Sequence, residues 1–192
     1  MMAIADVEKL LPKIRKGLEE AFEILQQKAK GNGDWTRGVL NAMNRLAEKL
    51  SDDLGKGIQV CPNKMSPMGA GEWLLDLIWY RMTDDDGDEH LREIVLAMES
   101  EWSHYTWDVK YDFEKLLVVK SPIKILIAED YHGDVMQMVE KELRTYKDGS
   151  DEETYMIALY ANGKFNFTYY RKLPPAQLCK SIDLNDWQEV HA

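Results

Sequence analysis

The stretch from Glu72 to Glu101 constrains the fold of this chain more than any other. It reads as an apolar strand carrying one acid, Glu72-Trp73-Leu74-Leu75-Asp76-Leu77-Ile78-Trp79-Tyr80, then a polar turn. A second apolar strand, Ile94-Val95-Leu96-Ala97-Met98-Glu99-Ser100-Glu101-Trp102, ends in two carboxylates two residues apart. Side chains alternate across a strand, which puts Glu72, Leu74, Asp76, Ile78 and Tyr80 on one face of the first. Val95, Ala97, Glu99 and Glu101 share a face of the second. An aspartate between Leu75 and Leu77 is costly to bury unless something offsets its charge. A divalent cation held by carboxylates of both strands would do so. The other reading is a sheet-edge aspartate paired to a lysine.

Register decides whether the strands can cooperate. The connection Thr83-Asp84-Asp85-Asp86-Gly87-Asp88-Glu89 is the polar, glycine-containing turn of a hairpin. A pivot near Gly87 sets Asp76 opposite Met98 or Glu99. Directly opposed residues hold their Cβ atoms about 5 Å apart, so an Asp76–Glu99 pair would repel without a cation and chelate with one. A slip of one residue would separate them onto opposite faces.

Charge is unevenly spread. Among 192 residues the net charge is −10, yet residues 1–60 hold ten Lys and Arg against nine Asp and Glu. Residues 61–110 hold four against eleven, so the acid excess surrounds the two strands. Such a chain is unsuited to tight, non-specific coating of nucleic acid. Transient contact with a phosphate through a cation and a few lysines remains compatible with it. The two cysteines, Cys61 and Cys179, form no CxxC pair and imply neither a disulfide framework nor a structural zinc site. Charge at Asp6, Glu8 and Lys9 precedes any apolar run, and no run of about 18 apolar residues follows, so a cytoplasmic protein without membrane attachment is expected.

Residues 6–30 have helical spacing in Val7, Leu10, Leu11, Ile14, Leu18, Phe22 and Leu25, stopped by Gly31-Asn32-Gly33. Asp34 is expected to cap a second helix running to Leu50. Gly57–Cys61 is a short strand, Asp108–Lys120 a helix, and Ile123–Ala128 a buried strand. The interval from Trp102 to Ile123 accommodates a helical crossover between parallel strands. A helix over 134–146 and a hairpin around Asn162-Gly163 follow, with a peripheral tail after Leu173-Pro174-Pro175.

Helix, three-strand meander, helix and fourth strand, with Asp76 on the second strand and Glu99 on the third, resembles the PD-(D/E)XK nuclease superfamily and its restriction-endonuclease-like fold. The likeness spans Gly57–Glu129. It implies an α/β protein built on a mixed sheet flanked by helices. One domain is expected, with N-terminal helices over 1–56, a nuclease-like core over 57–129 and a C-terminal helix plus hairpin over 130–192. It further implies Mg²⁺ or Mn²⁺ held by Asp76, Glu99 and the Ser100 carbonyl, and hydrolysis of nucleic-acid phosphodiesters. Where that family usually has lysine two positions after the glutamate, this chain has Glu101, here a further ligand and catalytic candidate. In some members the lysine lies on the following helix, and Tyr111–Leu117 resembles that helix, with Lys115 in place to act. Glu72 would be an additional metal-side carboxylate.

Plainer readings stand beside these. Glu99 and Glu101 also suit the solvated end of a strand, and Asp112 with Lys115 suits a helical ion pair. Asp84, Asp86 and Asp88 imitate a calcium loop, but Glu89 stands where glycine is required, which returns them to a hairpin turn. His104 follows Glu101 closely enough to serve as a base, or is a loop histidine. The alternative function is a nuclease-fold protein without activity, whose acidic face docks a basic protein partner.

Overall fold

A computed structural model describes residues 4–50, 57–61, 74–85, 88–147, 153–171 and 180–181. Glu72, the loop preceding it, the turn at Asp86-Gly87 and the tail from Leu173, apart from Lys180-Ser181, lie outside the described residues.

The chain is α/β. Its mixed sheet runs β1 (Ile58–Cys61), β2 (Leu77–Asp85), β3 (Asp88–Glu101), β4 (Ile123–Glu129), β5 (Thr154–Ala161), β6 (Lys164–Arg171) and β7 (Lys180–Ser181), paired in that order. β1, β2 and β3 form an antiparallel meander, and β3, β4 and β5 are parallel. β6 and β7 return antiparallel. The expected meander, crossover and parallel fourth strand are therefore present. Two successive parallel steps in one direction, each with right-handed crossover, put their helices on the same face. These are α3 (Thr106–Val118) and α4 (Val135–Thr145).

The opposite face is covered by α1 (Ile4–Lys28) and α2 (Asn32–Lys49). Val7, Leu10, Leu11, Ile14, Leu18 and Phe22 of α1 are buried together with Val39, Met43 and Ala47 of α2 against Leu77, Trp79, Met98 and Ile125. The α3/α4 side buries Val109, Phe113, Leu116, Val139 and Leu143 against Ile78, Ala97, Leu126 and Ile157. No helix among the described residues is long and apolar enough to cross a membrane.

Three expectations are corrected. Asp34 is not the cap of α2; Gly31 occupies that place, and Asp34, two residues into the helix, accepts a hydrogen bond from the Lys30 amide at 3.0 Å. β2 begins at Leu77, so Asp76 stands in a bend just before the strand and is only half-buried. Val95 packs with the α1/α2 core and not on the face of Ala97, because β3 carries register shifts opposite Trp79/Tyr80 and Arg81/Met82. The Asn162-Gly163 turn is as expected: both residues have positive φ, 53° and 79°, the backbone a two-residue hairpin requires.

Candidate functional site

Asp76, Glu99, Ser100, Glu101, Asp112 and Lys115 line one pocket, closed on its other side by Asn32, Gly33 and Thr36 of α2. The cavity is about 250 Å³. Leu77 pairs with Met98, and one further step sets Asp76 level with Glu99. The Asp76 carboxylate accepts the Ser100 amide hydrogen at 2.8 Å, which fixes the entry to β2 against the exit of β3.

Glu99 is the least exposed charged group of the site, at 1%. Its Oε1 meets the Lys115 Nζ at 2.6 Å, while Oε2 accepts no hydrogen bond. Burial pushes its carboxyl up to about 8; the Lys115 ammonium opposes the shift, and Asp76 and Asp112 add to it. Lys115, a fifth exposed, bridges Glu99 and the Asp112 carboxylate, the latter at 2.7 Å. Burial alone would lower the lysine, but its pairs with Asp112 and Glu99 outweigh that and raise it, so it carries its proton throughout the neutral range. The helical ion pair and the reach to Glu99 thus coexist in one side chain.

Glu101 is half-buried, and its Oε1 accepts the Ser103 amide at 2.6 Å. Burial raises its carboxyl; the Ser103 amide works the other way, and Asp112 adds to the rise. Ser100 is buried, and its Oγ accepts the Trp102 indole N–H at 3.0 Å. His104 is exposed and meets the Tyr131 ring, and it is absent from the pocket wall.

Asn32, Gly33 and Thr36 escape the sequence reading, where Gly31-Asn32-Gly33 registers only as a helix stop. The Asn32 amide group donates to the Trp102 carbonyl at 2.8 Å, and Trp35 stacks on Trp102 with centroids 4.8 Å apart. These contacts hold the first turn of α2 over the end of β3. The aromatic pair Trp35/Trp102 is the one signal that links the two segments in sequence.

Four carboxylates facing one lysine leave the pocket acidic, and the unpartnered Glu99 oxygen is a donor suited to a hard cation. Among the described residues no three His, Cys, Asp or Glu side chains already close on a common point at ligating distance. The donor set fits a cation through its chemistry and not through a preformed cage.

Comparison with protein-family models and with curated proteins returns no match. Among solved structures, "Structure of E. coli MS115-1 NucC, cAAA-bound form" is similar over 96% of this chain and 97% of that chain, with 12% identity and a TM-score of 0.44. At that score the likeness carries no weight for function.

Proposed function

We propose that this chain is a metal-dependent hydrolase of nucleic-acid phosphodiesters. The observation that carries the reading is Glu99: a carboxylate 1% exposed, with one oxygen unpartnered, in a pocket where Asp76, Glu101 and Asp112 outnumber Lys115. Burial keeps Glu99 largely protonated near neutral pH when no cation is present, and a Mg²⁺ or Mn²⁺ ion would favour its ionised form while offsetting the charge of the neighbouring carboxylates.

Asp76, Glu99, Glu101 and the Ser100 carbonyl are the residues that would hold it. When bound, such an ion lowers the pKa of water and stabilises charge growing on a phosphate. The chain's own groups supply the remainder. Lys115 has three N–H donors, and Glu99 and Asp112 engage two of them. The third is available to a phosphate oxygen, where a fixed positive charge favours the transition state over the ground state. The Ser100 and Ser103 backbone amides donate to Asp76 and Glu101 and set the positions from which these carboxylates would turn toward a cation.

Single- and double-stranded DNA and RNA, incubated at low salt with Mn²⁺ or Mg²⁺, should be cut slowly in at least one case. Glu99→Ala should abolish the cleavage, and Lys115→Ala should slow it about a hundredfold, within the 10²–10⁴ typical of a positioned catalytic group. Absence of cleavage on every substrate, or cleavage that survives Glu99→Ala, contradicts the proposal.

A further inference from the structure

Four aromatic side chains stand among the exposed large apolar residues: Tyr105 (72%), Trp107 (68%), Tyr111 (59%) and Tyr131 (62%). Tyr105 lies on the β3–α3 loop, Trp107 and Tyr111 on the exposed face of α3, and Tyr131 on the β4–α4 loop. Trp107 and Tyr111 are four residues apart on α3, hence on one face and about 6 Å apart along the axis. Neither ring packs on the other, and Trp107 makes no hydrogen bond or ring contact with any described residue. Trp107 thus stands 68% exposed with no hydrogen-bonding or ring partner among the described residues to account for it.

This surface is continuous with the pocket. The Lys115 Nζ lies 5.7 Å from the centroid of Tyr111, and the same ammonium is 2.6 Å from the Glu99 carboxylate. On the loop side, Thr106 Oγ1 donates to Asp134 at 2.7 Å and His104 meets Tyr131 edge-on at 4.5 Å, which joins the two loops into one rim.

Charge selects the occupant. The chain is at −10, and the lysines of α3 are paired with carboxylates, Lys110 with Glu114 and Glu142 and Lys115 with Asp112 and Glu99, which leaves one Lys115 N–H for a phosphate. A duplex presents mainly phosphates and would find little attraction here. An unpaired strand carries phosphates too, but it also presents base faces, and stacking on aromatic rings adds an attraction at each base that a duplex cannot gain.

We propose that Trp107 and Tyr111, flanked by Tyr105 and Tyr131, form a stacking surface for unpaired bases that presents single-stranded nucleic acid to the pocket. This rests on the phosphodiesterase reading for the identity of the strand. Its own content is the preference for single strands and the source of the affinity.

The test uses the full chain in EDTA, so that binding is measured without cleavage. Fluorescein-labelled 12-mers of single-stranded DNA and RNA, and the matching duplexes, are titrated by anisotropy. Single strands should bind more tightly than duplexes. Trp107→Ala should weaken single-strand binding about ten- to hundredfold, and Trp107→Phe, which retains a ring, should restore most of it. The salt slope of log Kd should stay near that of one neutralised phosphate, about 0.7. Equal affinity for duplex, or single-strand binding indifferent to Trp107→Ala, overturns the proposal. So does sedimentation showing that Trp107→Ala dissolves a dimer of this chain, since the rings would then be a contact between copies. Binding that depends on Trp107 in a protein that cleaves nothing would leave the stacking surface standing and remove the hydrolase reading. Cleavage without such binding would do the reverse.

Discussion

At the scale of residues, Glu99 dominates the energetics of the pocket. Its carboxyl ionises near 4.5 in an unfolded chain and is pushed up to about 8 in the fold, by burial first and by Asp76 and Asp112 after it, against the pull of Lys115. Between those values the folded state keeps a proton that the unfolded state has lost. Metal-free stability therefore falls as pH rises from 4.5 to about 8, and the full penalty is present above 8. Glutamine cannot ionise and escapes it. Glu99→Gln should thus match the wild type near pH 4.5 and exceed it at pH 8.5 by on the order of 3–5 kcal/mol, at about 1.4 kcal/mol per unit. Urea denaturation in EDTA at the two pH values measures the difference; a gap that does not widen with pH contradicts the assignment.

These residues were open to sequence reading for a physical reason. A carboxylate inside an apolar run is an anomaly that burial makes expensive, and Asp76, Glu99 and Glu101 each stand in such a run or at its end. Lys115 was legible through the likeness of Tyr111–Leu117 to a lysine-bearing helix, and through its spacing from Asp112. Asn32, Gly33 and Thr36 were not, because their part in the pocket comes from packing between elements about seventy residues apart, as in the Asn32–Trp102 hydrogen bond. No local pattern encodes that approach.

At the scale of elements, register is the instructive case. The hairpin starts with Asp85 paired to Asp88; unbroken, that register would bring Asp76 opposite Ala97. Two shifts leave Arg92 and Val95 without partners in β2, and the pairing reaches Leu77–Met98 instead. Each bulge moves the register by one and the two together by two, so Asp76 keeps its face and gains Glu99 as its neighbour. Bulges have no sharp sequence signature. The hairpin was therefore readable while its bulges, and the later start of β2, were not.

Lys124 is the other surprise within an element. The run Ile123–Ala128 reads as a buried apolar strand, and Lys124 is indeed fully buried in it. Its Nζ meets Glu153 at 2.7 Å and the Tyr155 hydroxyl at 3.2 Å, and that hydroxyl donates to Glu153 at 2.8 Å. A buried pair of this kind gains little over apolar packing, but breaking one side leaves an uncompensated charge. Lys124→Met combined with Glu153→Gln should leave stability within about 2 kcal/mol of the wild type, whereas Glu153→Ala alone should cost about 3–5 kcal/mol. Equal losses in the two proteins, read from thermal melts, would show that the pair acts through something other than its charges.

At the scale of the whole molecule, the acid excess and the sheet are arranged together. The meander and the β3–α3–β4 crossover bring carboxylates from the start of β2, the end of β3 and the middle of α3 to one spot, where α2 closes the wall. The cost of gathering like charges is borne by the fold unless a cation shares it. A cation that binds only the folded state stabilises it by about 2.7 kcal/mol at a hundredfold excess over Kd. Mg²⁺ should accordingly raise the melting temperature of the wild type more than matched ionic strength from NaCl does, since salt alone also screens the repulsion.

Calorimetric titration of Mg²⁺ and Mn²⁺ into the wild type, Asp76→Asn and Glu99→Gln at pH 8 and constant ionic strength bears on the central claim most directly. The account predicts saturable binding in the wild type, weakened in Asp76→Asn and lost in Glu99→Gln, with all three proteins folded. Absence of saturable heat in the wild type, or identical isotherms in the three proteins, would contradict it.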